Sequence, residues 1–235
     1  MLRKFAEALR LWCTNVVLIA SIVLTVWLPG NLLGEYLIWH VPSEDDFGRS
    51  FRVNSLIEGV FGVISSGALV YALAQVKKGR RPGYFEALSV GFRNWGRLFS
   101  ARFFAGIWIL LGLILLVVPG IVLMVRYAFI DAVVVLEGAG RKSARRRSTE
   151  LTRGLRWQIF MAGLLFAAAF ASLDYLIRVS YTETFPALNT MAMDVAVDCV
   201  LDIVYAIIEI VFFLYYWQAT EQPRDEFNSC DSLST

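Results

Sequence analysis

The sequence predicts an all-α, polytopic membrane protein with six transmembrane helices. Three observations carry this reading. First, 57% of the 235 residues are hydrophobic and only 18% are charged, with mean hydropathy +0.59; soluble domains run at about half and about a quarter. Second, the apolar residues fall in runs long enough to cross ~30 Å of hydrocarbon, which takes about 20 helical residues. Third, basic residues gather at 77–102 and 141–156 while acids gather at 35–46 and in the last third, so charge sign alternates between the connecting segments.

The first span is placed at 11–33, within an uncharged stretch preceded by Arg3, Lys4 and Arg10. It is too long for the h-region of a cleaved signal peptide, about 7–15 residues, and no small-x-small cleavage site follows cleanly. The second span, 53–76, has Glu58 as its only charge. The apolar stretch 103–139 is too long for one crossing: residues 103–136 as a single helix would measure about 50 Å. Pro119-Gly120 lies in its middle. Proline removes a donor and clashes with the preceding turn, and glycine admits turn geometry. Two spans, 103–118 and 121–139, joined by a tight hairpin at that dipeptide, are therefore expected. Spans 158–178 and 195–219 complete six, giving one membrane domain over 1–220 and a polar tail, 221–235, expected to be disordered.

Parity supports an even count. Cytoplasmic segments carry an excess of Lys and Arg. With six spans both termini, the Lys77–Arg81 segment and the Arg141–Arg156 segment share the cytoplasmic side, and the acidic 35–46 segment and the 179–193 segment lie outside. Trp12, Trp157 and Trp217 then fall near the inner interface and Trp27 and Trp39 near the outer one, as aromatic belts require.

A repeated plan is visible. Leu2, Phe5, Leu9, Trp12 and Val16 recur at spacings of three and four, as do Phe85, Leu88, Phe92, Trp95 and Phe99. That spacing gives an amphipathic helix. A third such segment, Ala144 to Leu155, is more basic, with a weaker stripe. Each precedes a helical hairpin, and Pro29-Gly30 and Pro119-Gly120 mark two hairpin tops. The pattern reads as a threefold repeat of amphipathic helix plus hairpin. The surface helices either orient the spans or dock on lipid, with Arg93, Arg97, Arg145, Arg146 and Arg147 as headgroup candidates.

Ionisable residues inside spans cost at least ~2.5–3.5 kcal/mol at the helix centre and need partners. On the sixth span Asp194, Asp198, Asp202 and Glu209 fall at angles of 0, about 40, about 80 and about 60 degrees, one narrow stripe continued by Tyr205 and Tyr216. Glu58, Arg126, Asp174 and Arg178 lie toward the outer half, and Asp131 near the midplane. Together Glu58, Arg126, Asp131, Asp174, Arg178, Asp198, Asp202 and Glu209 form a candidate intramembrane polar cluster. One reading is a set of interhelical ion pairs, chiefly Arg126 with Asp198 or Asp202. The other is a polar cavity for an ion, a proton or a lipid headgroup. Small residues, Gly59, Gly62, Ser65, Ser66 and Gly67 on span two and Ala167 to Ala171 on span five, fit close helix packing.

Catalytic signals are missing. Cys13, Cys199 and Cys230 have neither metal-ligand nor disulfide spacing. There is no Walker-type phosphate loop. His40 is the only histidine and sits in a polar segment, so no catalytic triad is expected. No cofactor, metal or nucleic-acid partner is expected, and a net charge of +2 gives no long-range pull on nucleic acid.

Val118-Pro119-Gly120-Ile121 followed by Val125-Arg126-Tyr127, and Ser148-x-x-Leu151-Thr152-x-Gly154-x-x-Trp157-x-x-Phe160, with Asn94 and Trp95 upstream, resemble a broad bacterial family of six-helix inner-membrane proteins of poorly defined function. That family is similar to the membrane domain beside some glycerophosphodiester phosphodiesterases. The resemblance is best over 84–165. It implies a membrane fold and a cytoplasmic-membrane address. It implies no phosphodiesterase reaction, which needs a soluble barrel with paired histidines and metal-binding carboxylates. The expected function is non-enzymatic: support of envelope or lipid homeostasis by binding membrane lipids or a membrane partner protein. The alternative is a transporter or permease-like subunit using the intramembrane carboxylates.

Overall fold

The computed structural model describes residues 2–41, 45–184 and 190–231, and all regular structure among them is helical. Residues 42–44 and 185–189 of the two expected exterior segments, and the last four of the tail, lie outside the described residues. So does the Cys230 side chain.

The order is α1 (Leu2–Thr14), α2 (Val16–His40), α3 (Asp46–Ile57), a π-helical turn (Glu58–Gly62), α4 (Val63–Lys77), α5 (Tyr84–Leu115), α6 (Val117–Arg126), α7 (Ile130–Leu136), α8 (Arg141–Leu151), α9 (Arg156–Thr184) and α10 (Met191–Asp231). Among the described residues, five segments are long and apolar enough to cross a membrane: Val16–His40, Gly48–Lys77, Tyr84–Leu115, Val117–Leu136 and Arg156–Ser180. They make this a helical chain suited to multiple membrane passes.

Helix α4 is the axis of the bundle and touches α2, α5, α7 and α10. Its glycine Gly67 meets Gly91 of α5: a Cβ on Gly91 would lie 2.6 Å from the Ile64 carbonyl oxygen, and one on Gly67 would lie 3.2 Å from the Gly91 Cα. Two bare glycines thus let the α4 and α5 backbones approach, the device expected where no hydrophobic force pulls helices together in lipid. Ile22 and Val23 of α2, Leu69 of α4, Leu98 of α5, Val133 of α7 and Ile210 and Phe213 of α10 pack around this contact and are fully buried.

The chain does reverse between spans three and four, but the break is not at Pro119-Gly120. Leu116 alone is extended (φ −162°, ψ 141°), and Pro119 sits in the first turn of α6. Proline is tolerated there because a first-turn N–H has no intrahelical acceptor. Gly120 instead serves the close return: it faces Gly112, whose Cβ would lie 3.0 Å from the Gly120 Cα. Pro29-Gly30 marks no hairpin top either. Pro29 lies inside the continuous α2, and Gly30 makes room for the Phe61 ring, 3.1 Å from where a Cβ would sit.

Two span boundaries also differ. Segment 103–118 is the second half of the 32-residue α5, which absorbs the amphipathic segment preceding it without interruption. Segment 121–139 is split into α6 and α7 by a turn at Tyr127–Phe129. A fully buried serine from α8 closes that gap: Ser148 Oγ donates to the Arg126 carbonyl (2.8 Å) and accepts from the Phe129 N–H (3.2 Å). Ala144, Ser148, Leu151 and Thr152 form the buried face of α8. The short α1 precedes the long α2 and the short α8 the long α9, while in the middle the amphipathic segment is fused to the span.

Helix α1 leans on α10 through main-chain acceptors. Lys4 Nζ donates to the Leu214 carbonyl (3.2 Å) and Trp12 Nε1 to the Ile203 carbonyl (3.0 Å). Burial pushes the Lys4 ammonium below its ordinary pKa, and Glu7 pulls it back. Helix α9 touches α10 and, slightly, α6; its Ala167, Ala168 and Ala171 are exposed rather than closely packed. Helix α10 continues to Asp231, into the segment expected to be disordered, since extending a formed helix is far easier than starting one.

Candidate functional site

The polar residues of the spans fall into two groups joined by α10. The inner group is centred on the arginine that ends the basic stretch 77–102. Arg102, on α5, reaches Asp131 at the start of α7 through two hydrogen bonds, Nε to Oδ1 (2.9 Å) and Nη2 to Oδ2 (2.7 Å). This is the paired fork geometry that suits guanidinium to carboxylate. The same Nη2 donates to Ser66 Oγ (2.5 Å), and Nη1 lies 3.5 Å from Glu58 Oε1. Ser66, on α4, meets Glu209 Oε1 of α10 at 3.0 Å. Glu209 Oε2 is buried and has no hydrogen-bond partner.

Local backbone chemistry places Glu58. The π-helical turn begins at that residue, and its carboxylate folds back over Gly62, where a Cβ would lie 2.5 Å from Oε1. A π turn accommodates one extra residue within a helix and is frequent at functional sites. Here it redirects Glu58 toward Arg102, and only a glycine at 62 leaves the carboxylate its place.

These residues line a cavity of about 360 Å³ between α4, α5, α7 and α10. Glu58, Ser66, Arg102, Asp131 and Glu209 form a polar wall, and Ile109, Met124 and Phe212 an apolar one. The size lies within the ~300–1,000 Å³ of small-molecule sites. Ser66 is eleven residues, about 16 Å, from Lys77 at the end of its helix. That is half the thickness of a ~30 Å hydrocarbon layer. Of the lining residues Glu58, Gly106, Met124 and Tyr205 are exposed, so the cavity opens where apolar surface of α5 and α6 and two polar side chains meet its edge.

The second group surrounds Arg178 on α9, which bonds Asp174 (2.9 Å) and Asp198 (2.5 Å) and lies 3.6 Å from Asp194. Helix α2 contributes Trp39, which donates to Asp194 (3.1 Å), and Asn31, which donates to Asp202 (2.8 Å). The acidic stripe of α10 is thus engaged along its length, with α2 and α9 at one end and α4 and α5 at the other.

The expected pairing of Arg126 with Asp198 or Asp202 is not formed. Arg126 ends α6, which packs on α5, α8 and α9. Its Nε is buried without a hydrogen-bond partner, while Asp198 goes to Arg178 and Asp202 to Asn31. Which helices are neighbours was not readable in the sequence, and Glu58, expected toward the outer half with Arg178 and Asp198, joins the Arg102 group. Asp131 takes Arg102 instead.

The five surface arginines also divide. Arg97 caps the end of α7 through the Gly138 and Ala139 carbonyls. Arg147 pairs with Glu137 (3.1 Å), which also accepts from the Tyr216 hydroxyl (3.1 Å). Arg146 pairs with Glu150 along its own helix (3.0 Å). Arg93 is exposed and Arg145 half-buried. His40 accompanies Tyr36, stacked at 4.4 Å, and is not among the cavity residues. Among the described residues no group of His, Cys, Asp and Glu has the geometry to hold a metal ion.

A family model described as a domain of unknown function, DUF7847, matches residues 47–220, a range that contains every residue lining the cavity. No curated protein and no solved structure matches the chain.

Proposed function

We propose, for a chain that belongs to the family of the domain of unknown function DUF7847, that it binds a membrane lipid within the bilayer, with the headgroup in the cavity beside Arg102. It is a six-span protein of the bacterial cytoplasmic membrane with both termini inside, α10 being the sixth span. It acts in envelope or lipid homeostasis without catalysing a reaction. The observation that carries the proposal is the cavity itself. Polar and apolar side chains line it together, and its exposed edge includes Gly106 and Met124 on helix surfaces suited to acyl chains as well as Glu58 and Tyr205. A water-filled pore would need no apolar wall, and a purely structural ion pair would leave no cavity of this size. No phosphodiesterase activity is included.

The test is to fill the cavity. A Cβ at Gly106 meets nothing within 4 Å, so Gly106→Phe adds a side chain without displacing backbone. Protein extracted in mild detergent and examined by native mass spectrometry should retain lipid, and the variant should lose it. Equal lipid retention by both proteins would refute the proposal.

One observation favours the transport reading as a second. Asp194, Asp198, Asp202 and Glu209 run along one face of α10 from the Arg178 group to the cavity. Such a column could move protons or cations between the end of the bundle and its centre. Proteoliposome flux that is abolished by Asp198→Asn with Asp202→Asn would favour transport over binding alone.

A further inference from the structure

We infer that the cavity recognises a primary ammonium group, as carried by an aminophospholipid headgroup; this rests on the lipid-binding reading above. The cavity wall holds three carboxylates, Glu58, Asp131 and Glu209, against one arginine. Hydrogen bonding does not use them equally. Asp131 takes both forks of Arg102 and is satisfied. Ser66 Oγ lies 3.0 Å from one oxygen of Glu209 and 2.8 Å from the Gly62 carbonyl, and these two acceptors share its single proton. What remains is Glu209 Oε2, buried with no partner, and Glu58, 3.5 Å from a guanidinium already committed elsewhere.

A buried carboxylate oxygen without a donor is costly, and the cost falls when a ligand supplies one. The ligand that fits must bring positive charge and N–H donors together. An ammonium has three donors and no acceptor. It can bridge Glu209 and Glu58 while leaving the Arg102–Asp131 fork intact. A quaternary ammonium has the charge but no donor, so it leaves Oε2 unsatisfied. An anionic headgroup without an amine adds charge of the wrong sign beside the carboxylates of Glu58 and Glu209.

The geometry also accounts for the other end of such a headgroup. Ile109, Met124 and Phe212 line the same cavity, and Gly106 and Met124 are exposed at its edge on apolar helices. An amine at the polar wall therefore leaves its glycerol backbone and acyl chains directed to the apolar side.

The experiment uses the full chain in nanodiscs containing equal amounts of phosphatidylethanolamine, phosphatidylcholine and phosphatidylglycerol, with retained lipid identified by native mass spectrometry. Wild type should enrich phosphatidylethanolamine about tenfold over the other two, the equilibrium equivalent of one charge-assisted hydrogen bond. Glu209→Gln, an isosteric change that keeps an oxygen for Ser66, should abolish the enrichment while still retaining lipid. Glu58→Gln should reduce it. Thermal unfolding checks that each variant is folded. Lipid retained without headgroup preference, or a preference unchanged in Glu209→Gln, overturns the ammonium assignment and leaves the lipid-binding reading standing. Retention unaffected by Gly106→Phe overturns that reading itself. Displacement of bound lipid by water-soluble phosphoethanolamine would show ammonium recognition from the aqueous side and overturn the lipid source.

Discussion

Replacing Arg102 by methionine removes the one cation of the inner group. The consequence can be worked from its contacts. Arg102 makes two hydrogen bonds to Asp131, one to Ser66, and lies 3.5 Å from Glu58. Breaking a buried pair by removing one partner costs about 3–5 kcal/mol, because the other charge stays buried. The two side chains are 29% and 24% exposed, so the lower end, about 3 kcal/mol, is expected. Asp131→Asn should cost less than Arg102→Met. After the asparagine change Arg102 keeps Ser66 and Glu58, whereas after the methionine change three carboxylates share a cavity with no cation. Combining Arg102→Met with Asp131→Leu should recover at least about 1 kcal/mol relative to the sum of the single changes. Equilibrium unfolding in mixed micelles, titrated with sodium dodecyl sulfate, measures all five proteins: wild type, Arg102→Met, Asp131→Asn, Asp131→Leu and the double variant. If Arg102→Met is as stable as wild type, or the double variant equals the sum of the singles, the pairing described here does not hold the helices together.

Three further outcomes follow from particular contacts. Gly91→Ala places a methyl 2.6 Å from the Ile64 carbonyl oxygen and should destabilise by about 1–3 kcal/mol, while Gly106→Ala, into open space, should stay within about 0.5 kcal/mol; melting curves of the two variants separate them. Ser148→Ala removes the bridge across the α6–α7 break and should cost about 1–3 kcal/mol by the same measurement, with faster hydrogen exchange at Phe129. The charge exchange Arg126→Asp with Asp202→Arg should give no rescue over the single changes, whereas Arg178→Asp with Asp198→Arg should, as judged by yield of monodisperse protein.

Much of the arrangement was legible in the sequence because hydropathy and charge are local signals. The apolar runs, the reversal between spans three and four, and the one-face acidic stripe of α10 all follow from counting residues. Glu58, Asp131 and Glu209 were recognisable as costly in lipid. Their shared partner was not. Arg102 closes the basic stretch 77–102 and reads as the last basic residue of a surface helix, although at 100° per residue it lies about 180° from Arg93 and about 140° from Arg97. Only the uninterrupted course of α5 carries it into the bundle. The clue, in retrospect, is that Phe99 and Phe103 flank it with no helix-breaking residue between them. The misassigned Arg126 shows the complementary gap. Helix adjacency depends on long-range packing, and equal depth was an insufficient guide. The prolines misled for a third reason: a Pro-Gly pair can terminate a helix or sit in its first turn or at a close approach, and the dipeptide does not say which.

The proposed lipid site requires the cavity beside Arg102 to open sideways into hydrocarbon at mid-depth. A nitroxide on a cysteine at position 106, with Cys13, Cys199 and Cys230 replaced, reports this by power-saturation electron paramagnetic resonance in nanodiscs. High collision rates with molecular oxygen and negligible ones with a water-soluble nickel complex are the expected result. Free access of the nickel complex, with little exposure to oxygen, would place the cavity mouth in water and contradict the lipid site.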